Sequence, residues 1–175
     1  MAYQSTNPYD GKLLKTFHGI TDVELESALV AANTCFESWR LKTFAQRAKI
    51  VARAAAILRE RIDELARLAT LEMGKLIAEA RGEVLLSADI FDYYAKIAEC
   101  FLAPEHLSPS SGEADVMSTP IGVLFGVQPW NFPYYQLARF AAPNLMAGNV
   151  VMVKHSGCVP QSAIAGHHGP QRGLL

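Results

Sequence analysis

The stretch that decides the fold reads Gly122-Val-Leu-Phe-Gly-Val-Gln-Pro-Trp-Asn-Phe-Pro133. Its first half, Gly122 to Val127, is a short apolar run, which is typical of a strand buried on both faces of a sheet. A helix is predicted from Pro133 to Ala147, although Pro143 within it favours a kink or an early stop. Asn149 to Val153 is a second apolar, β-branched run. Strand, helix and strand in this order predict a βαβ unit with two parallel strands and a right-handed crossover.

The chain before this unit carries most of the charge. Only two permanently charged side chains lie between residues 120 and 165, so a buried α/β core is expected there and amphipathic surface helices before it. Thr21 with Glu24, and Thr43 with Gln46, fit capping boxes that begin two such helices. Further predictions are apolar stripes from Leu25 to Trp39 and from Ala48 to Leu65, a strand at Leu13–Phe17, a helix end at Gly74, a helix from about Glu79 to Cys100, a loop at Pro104–Gly112 and a strand at Ala114–Thr119.

The composition is that of an ordinary globular chain. Half of the 175 residues are apolar, 19% are charged and the formal net charge is −1, so neither nucleic acid nor an acidic membrane surface is an expected partner. The chain opens without a signal-peptide pattern, and its apolar runs are too short for a bilayer, so a soluble, cytoplasmic protein is expected. Cys35, Cys100 and Cys158 show no paired spacing that would indicate a disulfide framework. The first two fall in predicted helices and are expected to be buried thiols.

Two polar segments follow the two predicted strands of the βαβ unit. Ligands of open α/β sheets bind beyond the carboxyl ends of the strands, so these segments form the candidate site. Prolines on either side hold Asn131 between aromatic rings, where its amide either steadies a developing oxyanion or caps the next helix. Lys154 either binds the ribose hydroxyls or a phosphate of a nucleotide, or lies solvated at a strand end. The sequence has no G-x-G-x-x-G fingerprint to support a conventional dinucleotide site.

Together with Ala147-Gly-Asn-Val-Val-Met-Val-Lys154, the segment Pro129 to Pro133 resembles the aldehyde dehydrogenase superfamily. Asn7-Pro8, Leu71-Glu-Met-Gly-Lys75 and Tyr93-Tyr94-Ala95 stand where that family keeps similar segments. The resemblance implies an α/β fold, with N-terminal helices and an incomplete Rossmann-like parallel sheet, and residues 1–165 as the N-terminal part of a cofactor-binding domain. It implies oxidation of a small-molecule aldehyde to a carboxylic acid with NAD or NADP. The run Lys-His-Ser-Gly is similar to the succinate-semialdehyde dehydrogenase branch.

The resemblance also implies roles for single residues. Asn131 matches the oxyanion-hole amide that steadies the tetrahedral intermediate after a cysteine thiolate attacks the aldehyde. Lys154 matches the lysine that binds the adenosine ribose or its 2′-phosphate. Gly157 stands where many NAD-preferring members have a glutamate, so no carboxylate there repels a 2′-phosphate and NADP is allowed. The implied cofactor-binding residues are Val127, Gln128, Pro129, Trp130, Lys154, Ser156 and Gly157.

Later parts of the family's machinery have no counterpart in this sequence. The nucleophilic cysteine, the glutamate that activates water and the glycine-rich pyrophosphate turn belong to later family segments, so the chain is expected to be inactive alone. After Ala165 the composition changes abruptly. Residues 166–175 are expected to be an aberrant, disordered tail from a frameshift or premature stop, and not a metal site at the adjacent His167 and His168.

Two other functions are compatible with the sequence. One is a small complete enzyme that uses Cys158 and His155, and the other is a non-catalytic module that binds nucleotide or pairs with a full-length subunit. Full-length family members form homo-oligomers, and residues 113–119 correspond to a strand of the oligomerisation type. A parallel sheet of only two strands leaves apolar faces and a backbone edge uncovered, so self-association or aggregation of the isolated chain is predicted.

Overall fold

Helices and short strands make up the fold between residues 3 and 167, the part of the chain that the computed structural model describes. Within this part, none of the helices is both long and apolar enough to cross a membrane. The elements in chain order are β1 (Tyr3–Thr6), β2 (Leu13–Phe17), α1 (Asp22–Trp39), α2 (Phe44–Glu60), α3 (Ile62–Met73), α4 (Ile77–Phe101), β3 (Glu105–Leu107), β4 (Ala114–Val116), β5 (Val123–Val127), α5 (Pro133–Met146), β6 (Val150–Lys154) and α6 (Pro160–His167).

The predicted βαβ unit is formed by β5, α5 and β6. The two strands pair in parallel, with Val123 opposite Val150 and Val127 opposite Lys154. Their carboxyl ends therefore meet at one edge, which is the edge where the candidate site was expected. The other strands form two antiparallel pairs, β1 with β2 and β3 with β4.

The helix boundaries follow the capping signals of the sequence. Both predicted capping boxes are present, with Thr21 and Glu24 at the start of α1 and Thr43 and Gln46 at the start of α2. At the end of α3, Gly74 has a φ of 72°, the left-handed conformation that glycine adopts without a steric cost. The sequence therefore determines where these helices begin and end.

The core lies among α2, α3, α4 and α5. Small residues allow these helices to approach closely, because an alanine side chain adds little bulk at a helix contact. The largest fully buried side chains include Tyr134, Phe91 and Leu65. Amphipathic surface helices were expected before a buried α/β core; the buried faces of α2, α3 and α4 in fact build most of the core together with α5. Its fully buried alanines are Ala55, Ala66, Ala69, Ala80, Ala88, Ala138, Ala141 and Ala142.

The strand β5 is buried on one face only, which corrects the expectation of burial on both. Leu124 packs against the core and Gly126 is buried. Phe125 and Val127, which alternate with them, are 63% and 70% exposed. An apolar run shows that a strand is suited to burial on two sides, but a second covering layer is a tertiary feature. In α1, similarly, only Trp39 of the predicted apolar stripe is buried.

Several local predictions also need correction. The stripe expected to continue to Leu65 is divided at Arg61, where the backbone leaves the helical region with φ −106° and separates α2 from α3. The helix α5 continues through Pro143 to Met146, because its buried face packs on α4. The expected loop after α4 contains β3, and β1 was not anticipated. Cys35 and Cys100 are exposed, since each faces outward from its helix.

Candidate functional site

The residues predicted for the site meet at the carboxyl edge of the β5–β6 pair. Beyond the paired strands, the backbone N–H of Gln128 donates to the carbonyl of Lys154 at 3.0 Å, so the two loops leave the sheet side by side. The β5–α5 loop carries Pro129, Trp130 and Asn131. The β6–α6 loop carries Ser156 and Gly157. Gln128 and Lys154, which are 26 positions apart in the sequence, thus become neighbours in space.

The side chains at this edge are open to solvent. Asn131 and Lys154 are exposed, and the Trp130 ring is 52% exposed. Asn131 is not the helix cap, because the N-cap of α5 is Phe132, which supplies no side-chain hydrogen bond. The capping alternative for Asn131 is therefore wrong. The Asn131 amide projects from the loop and does not cap α5.

A buried carboxylate supplies the missing cap of α5. Glu83 of α4 accepts hydrogen bonds at Oε1 from the backbone N–H groups of Tyr134 at 2.8 Å and Tyr135 at 3.2 Å. Its other oxygen pairs with the ammonium group of Lys75. Lys75 also donates to the backbone carbonyl of Asn131 at 2.9 Å. These contacts bind the Asn131 loop to the turn between α3 and α4.

A second buried carboxylate caps α6. Glu72 of α3 accepts from the backbone N–H of Gln161 at 2.8 Å and from that of Ser162 at 2.7 Å. It also accepts from the hydroxyl of Ser5 at 2.7 Å, which joins β1 to the same cluster. The helices that follow both loops of the site are thus held at their N-termini by glutamates from one helical hairpin.

Burial also determines the protonation of a tyrosine in this region. The Tyr134 hydroxyl donates to the carbonyl of Leu65 at 2.8 Å, and the ring is almost wholly buried. Burial is the main cause that raises the pKa of Tyr134 well above its usual value, with the carboxylates of Glu72 and Glu83 acting in the same direction. Tyr134 is therefore a neutral structural donor, and it is not suited to act as a general base.

Two glycines allow close packing beside the site. A Cβ atom on Gly126 would lie 2.6 Å from the ring of Phe140, so only glycine lets α5 approach β5 this closely. A Cβ atom on Gly157 would lie 3.1 Å from the ring of Tyr3. The backbone of the β6–α6 loop therefore packs directly against Tyr3, and position 157 carries no carboxylate.

Cys158 is the nucleophile in the small-enzyme alternative. The Cys158 thiol is exposed, and its sulfur lies 3.2 Å from the Ser156 hydroxyl oxygen. His155, its proposed base, is buried. Between residues 3 and 167, no group of three or more His, Cys, Asp or Glu side chains is arranged to hold a metal ion. His168 and the rest of the tail lie outside the described residues.

An apolar cavity of about 770 Å³ lies elsewhere, between α1, α2 and the β6 strand. Ala32, Trp39, Ile57 and Val151 are among its lining residues. Because the site residues Asn131 and Lys154 do not line it, the cavity is separate from the candidate site.

Residues 1–168 match the aldehyde dehydrogenase family. This chain belongs to that family. It is 47% identical over 163 residues to the NADP+-dependent succinate-semialdehyde dehydrogenase of Deinococcus radiodurans, covering 93% of this chain and 34% of that enzyme. A probable NADP+-dependent succinate-semialdehyde dehydrogenase of Synechocystis is 44% identical, covering 94% of this chain and 36% of the relative.

Solved structures of aldehyde dehydrogenases confirm the fold. The succinic semialdehyde dehydrogenase of Streptococcus pyogenes, crystallised with NADP+, matches with a TM-score of 0.90 and 41% identity. The match covers 93% of this chain and 36% of that structure. The α/β architecture predicted from the sequence is therefore that of the aldehyde dehydrogenase fold. The chain spans about a third of the length of these relatives.

Sequence reasoning placed the two loops of this aldehyde dehydrogenase segment correctly but missed what holds them. Lys75 was noted only as part of a similar segment, and Glu72 and Glu83 were given no role. A signal was present, because both glutamates fall at positions of α3 and α4 that neighbour apolar, inward-facing residues. A carboxylate on an inward face needs hydrogen-bond donors, and helix N-termini supply them.

Proposed function

We propose that this chain supplies the oxyanion-hole amide and one wall of the cofactor groove of an NADP-dependent aldehyde dehydrogenase that acts on succinate semialdehyde. The observation that carries the proposal is the pairing of Val127 with Lys154, which brings the Asn131 loop and the Lys154 loop to one edge. The names of the similar enzymes from Deinococcus and Synechocystis support the substrate and cofactor.

In this proposal Asn131 acts through its side-chain amide. The amide N–H donates to the oxygen of the aldehyde as negative charge develops on it, and so stabilises the tetrahedral intermediate. A fixed donor of this kind contributes about 3–4 kcal/mol in other enzymes. The exposure of the Asn131 side chain and the anchoring of its backbone by Lys75 are what this role requires.

The proposed cofactor contacts involve Lys154 and the loop that follows it. An exposed ammonium group fits a ribose hydroxyl or a 2′-phosphate, and the absence of a side chain at Gly157 leaves that anion unopposed. Val127, Gln128, Pro129, Trp130 and Ser156 complete the proposed groove. When bound, NADP+ supplies the acceptor for the hydride that leaves the substrate.

Turnover by the 175-residue chain alone is not expected. The proposed reaction needs a cysteine thiolate beside the Asn131 amide, and Cys35 and Cys100 lie on α1 and α4, outside the two loops. Cys158 is the remaining thiol, and the small-enzyme alternative depends on it. An absorbance assay for NADPH with succinate semialdehyde tests this directly, because aldehyde-dependent reduction that disappears in Cys158→Ala would establish the alternative.

The decisive experiment for the leading proposal is a chimera. Residues 1–165 of this chain replace the corresponding first third of the Deinococcus enzyme, and NADP+-dependent oxidation of succinate semialdehyde is measured. Asn131→Ala is expected to lower kcat by about 10²–10³-fold. Lys154→Ala is expected to raise KM for NADP+ and to leave KM for the aldehyde unchanged.

Matched controls are available on exposed helix faces. Asn33→Ala on α1 and Lys96→Ala on α4 remove the same side chains away from the site, and both are expected to behave as the parent chimera. A folded chimera in which Asn131→Ala retains full kcat would refute the oxyanion role. Equal KM values for NADP+ in the Lys154→Ala and Lys96→Ala chimeras would refute the cofactor role.

The non-catalytic alternative is tested on the chain itself. With half of the groove absent from these residues, we expect NADP+ to raise the melting temperature only weakly. A micromolar dissociation constant, or co-purification with an intact dehydrogenase subunit, would favour a binding or subunit-pairing module. The cytoplasmic location, homo-oligomeric assembly through residues 113–119 and the division at residue 165 stay predictions.

A further inference from the structure

We infer that Lys75 and Glu83 are positioning residues that fix the Asn131 amide, an inference that rests on the proposed function of Asn131. Lys75 donates to the backbone carbonyl of Asn131 at 2.9 Å. Its ammonium nitrogen also lies 3.6 Å from the centroid of the Phe132 ring. One cation thus contacts two consecutive residues of the loop.

The carboxylate of the pair holds the other side of the same loop. Glu83 accepts from the backbone N–H groups of Tyr134 and Tyr135, which are the first free donors of α5. Because Phe132 offers no side-chain cap, these N–H groups have their partner in Glu83. The Lys75–Glu83 ion pair therefore clamps the chain on both sides of Pro133.

Burial gives the clamp its rigidity. The Lys75 and Glu83 side chains are only 6% and 0% exposed, whereas the Asn131 side chain projects into solvent. A buried ion pair with its hydrogen bonds satisfied keeps one geometry, since any displacement leaves a charge without a partner. A catalytic amide must be held within about 0.5 Å of its productive position. The pair is placed to do this without touching the substrate.

The backbone that carries Lys75 and Glu83 is itself held in place. Lys75 follows Gly74, whose left-handed conformation ends α3, and Glu83 lies two turns further along the chain in α4. The helix α4 packs along α5 in the core. The position of the Asn131 amide is thus fixed relative to the helical core and not only relative to the sheet edge.

The test is nitrogen-15 relaxation by NMR on the 175-residue chain, at a concentration where sedimentation shows a monomer, with Lys75→Met, Lys75→Arg and the exposed control Lys49→Met. We expect a backbone order parameter near 0.85 at Asn131 and Phe132 in the unchanged chain. In Lys75→Met it should fall below about 0.6 at these two residues, while β6 and α2 keep their values. Lys75→Arg should restore it, and Lys49→Met should have no effect.

An unchanged order parameter at Asn131 in Lys75→Met would overturn the inference. If Lys75→Met does not fold, hydrogen exchange in the unchanged chain still tests the inference. The amide protons of Tyr134 and Tyr135 should exchange as slowly as those inside α5, and rapid exchange would overturn the inference as well. These readouts need no turnover. A chimera that keeps its kcat with Asn131→Ala would refute the proposed function and leave the positioning result standing.

Discussion

The cluster around Glu72 permits a quantitative prediction about what holds this segment together. Glu72 is 4% exposed and accepts three hydrogen bonds, from the Ser5 hydroxyl and from the N–H groups of Gln161 and Ser162. These donors come from β1 and α6, at opposite ends of the described chain. Glu72→Ala removes the acceptor and leaves all three donors without it in a largely buried cluster.

The expected cost follows from the donors that lose their partner. A hydrogen bond to a carboxylate contributes about 1.5–3 kcal/mol, and a buried donor left without its acceptor costs about 1–3 kcal/mol. Relaxation of α6 and entry of water recover part of the loss. We therefore expect Glu72→Ala to lower the free energy of unfolding by about 3–4 kcal/mol.

Equilibrium urea unfolding followed by tryptophan fluorescence measures this change. Trp39 is a suitable probe, because its ring is buried and its indole N–H donates to the carbonyl of Leu145 at 3.0 Å. The control is Glu60→Ala, which removes a surface carboxylate paired with Arg53 and should cost less than about 1 kcal/mol. Both variants remove one carboxyl group, so the comparison isolates the buried contacts.

A free energy of unfolding for Glu72→Ala within about 1 kcal/mol of that for Glu60→Ala would refute the reasoning. It would mean that β1 and α6 are not held to α3 through this carboxylate. Complete loss of the cooperative transition in Glu72→Ala alone would agree with a cost that exceeds the stability of the chain.

Gly126→Ala should destabilise the chain by about 1–3 kcal/mol, because the new Cβ would lie 2.6 Å from the Phe140 ring. The helical control Gly82→Ala meets no atom within 4 Å and should stabilise by about 0.5–1 kcal/mol, so urea midpoints that move in the same direction would contradict this. Burial raises the pKa of Tyr134 above the value near 10 that a tyrosine has in the unfolded chain. The contribution of Tyr134 to the free energy of unfolding is therefore fully present below about pH 10 and is lost as the pH rises beyond it. Tyr134→Phe should remove up to about 1.4 kcal/mol per pH unit of that loss, and urea midpoints that fall equally in both proteins between about pH 9 and pH 11 would count against it.

Elements with local signals were predictable from the sequence. The capping boxes at Thr21 and Thr43 and the glycine at position 74 act over one helical turn, and each gave the correct boundary. The βαβ unit was also correct, because strand, helix and strand with a parallel pairing follow from chain order and the handedness of crossovers. The meeting of the two site loops at one edge follows from that topology.

Features that depend on distant partners could not be read from the sequence. The exposure of Phe125 depends on what covers the second face of β5, and no local pattern records it. The roles of Glu72 and Glu83 depend on helix N-termini about 50 to 90 residues away along the chain. A single sequence shows that a carboxylate stands on an apolar face but not which donors it meets. The clamp on Asn131 was invisible for that reason.

The two internal carboxylates also determine how this edge can receive an anion. In many βαβ folds the first N–H groups of the helix bind a phosphate, and a glycine-rich turn lets the phosphate approach. Here Glu83 at α5 and Glu72 at α6 already occupy those N–H groups. Because these glutamates accept hydrogen bonds from the first N–H groups of α5 and α6, those N–H groups are not free to bind a nucleotide phosphate. The lack of a G-x-G-x-x-G fingerprint after β5 then has a physical cause. Glycines there would let a phosphate approach the start of α5, but Glu83 already binds the N–H groups that the phosphate would use.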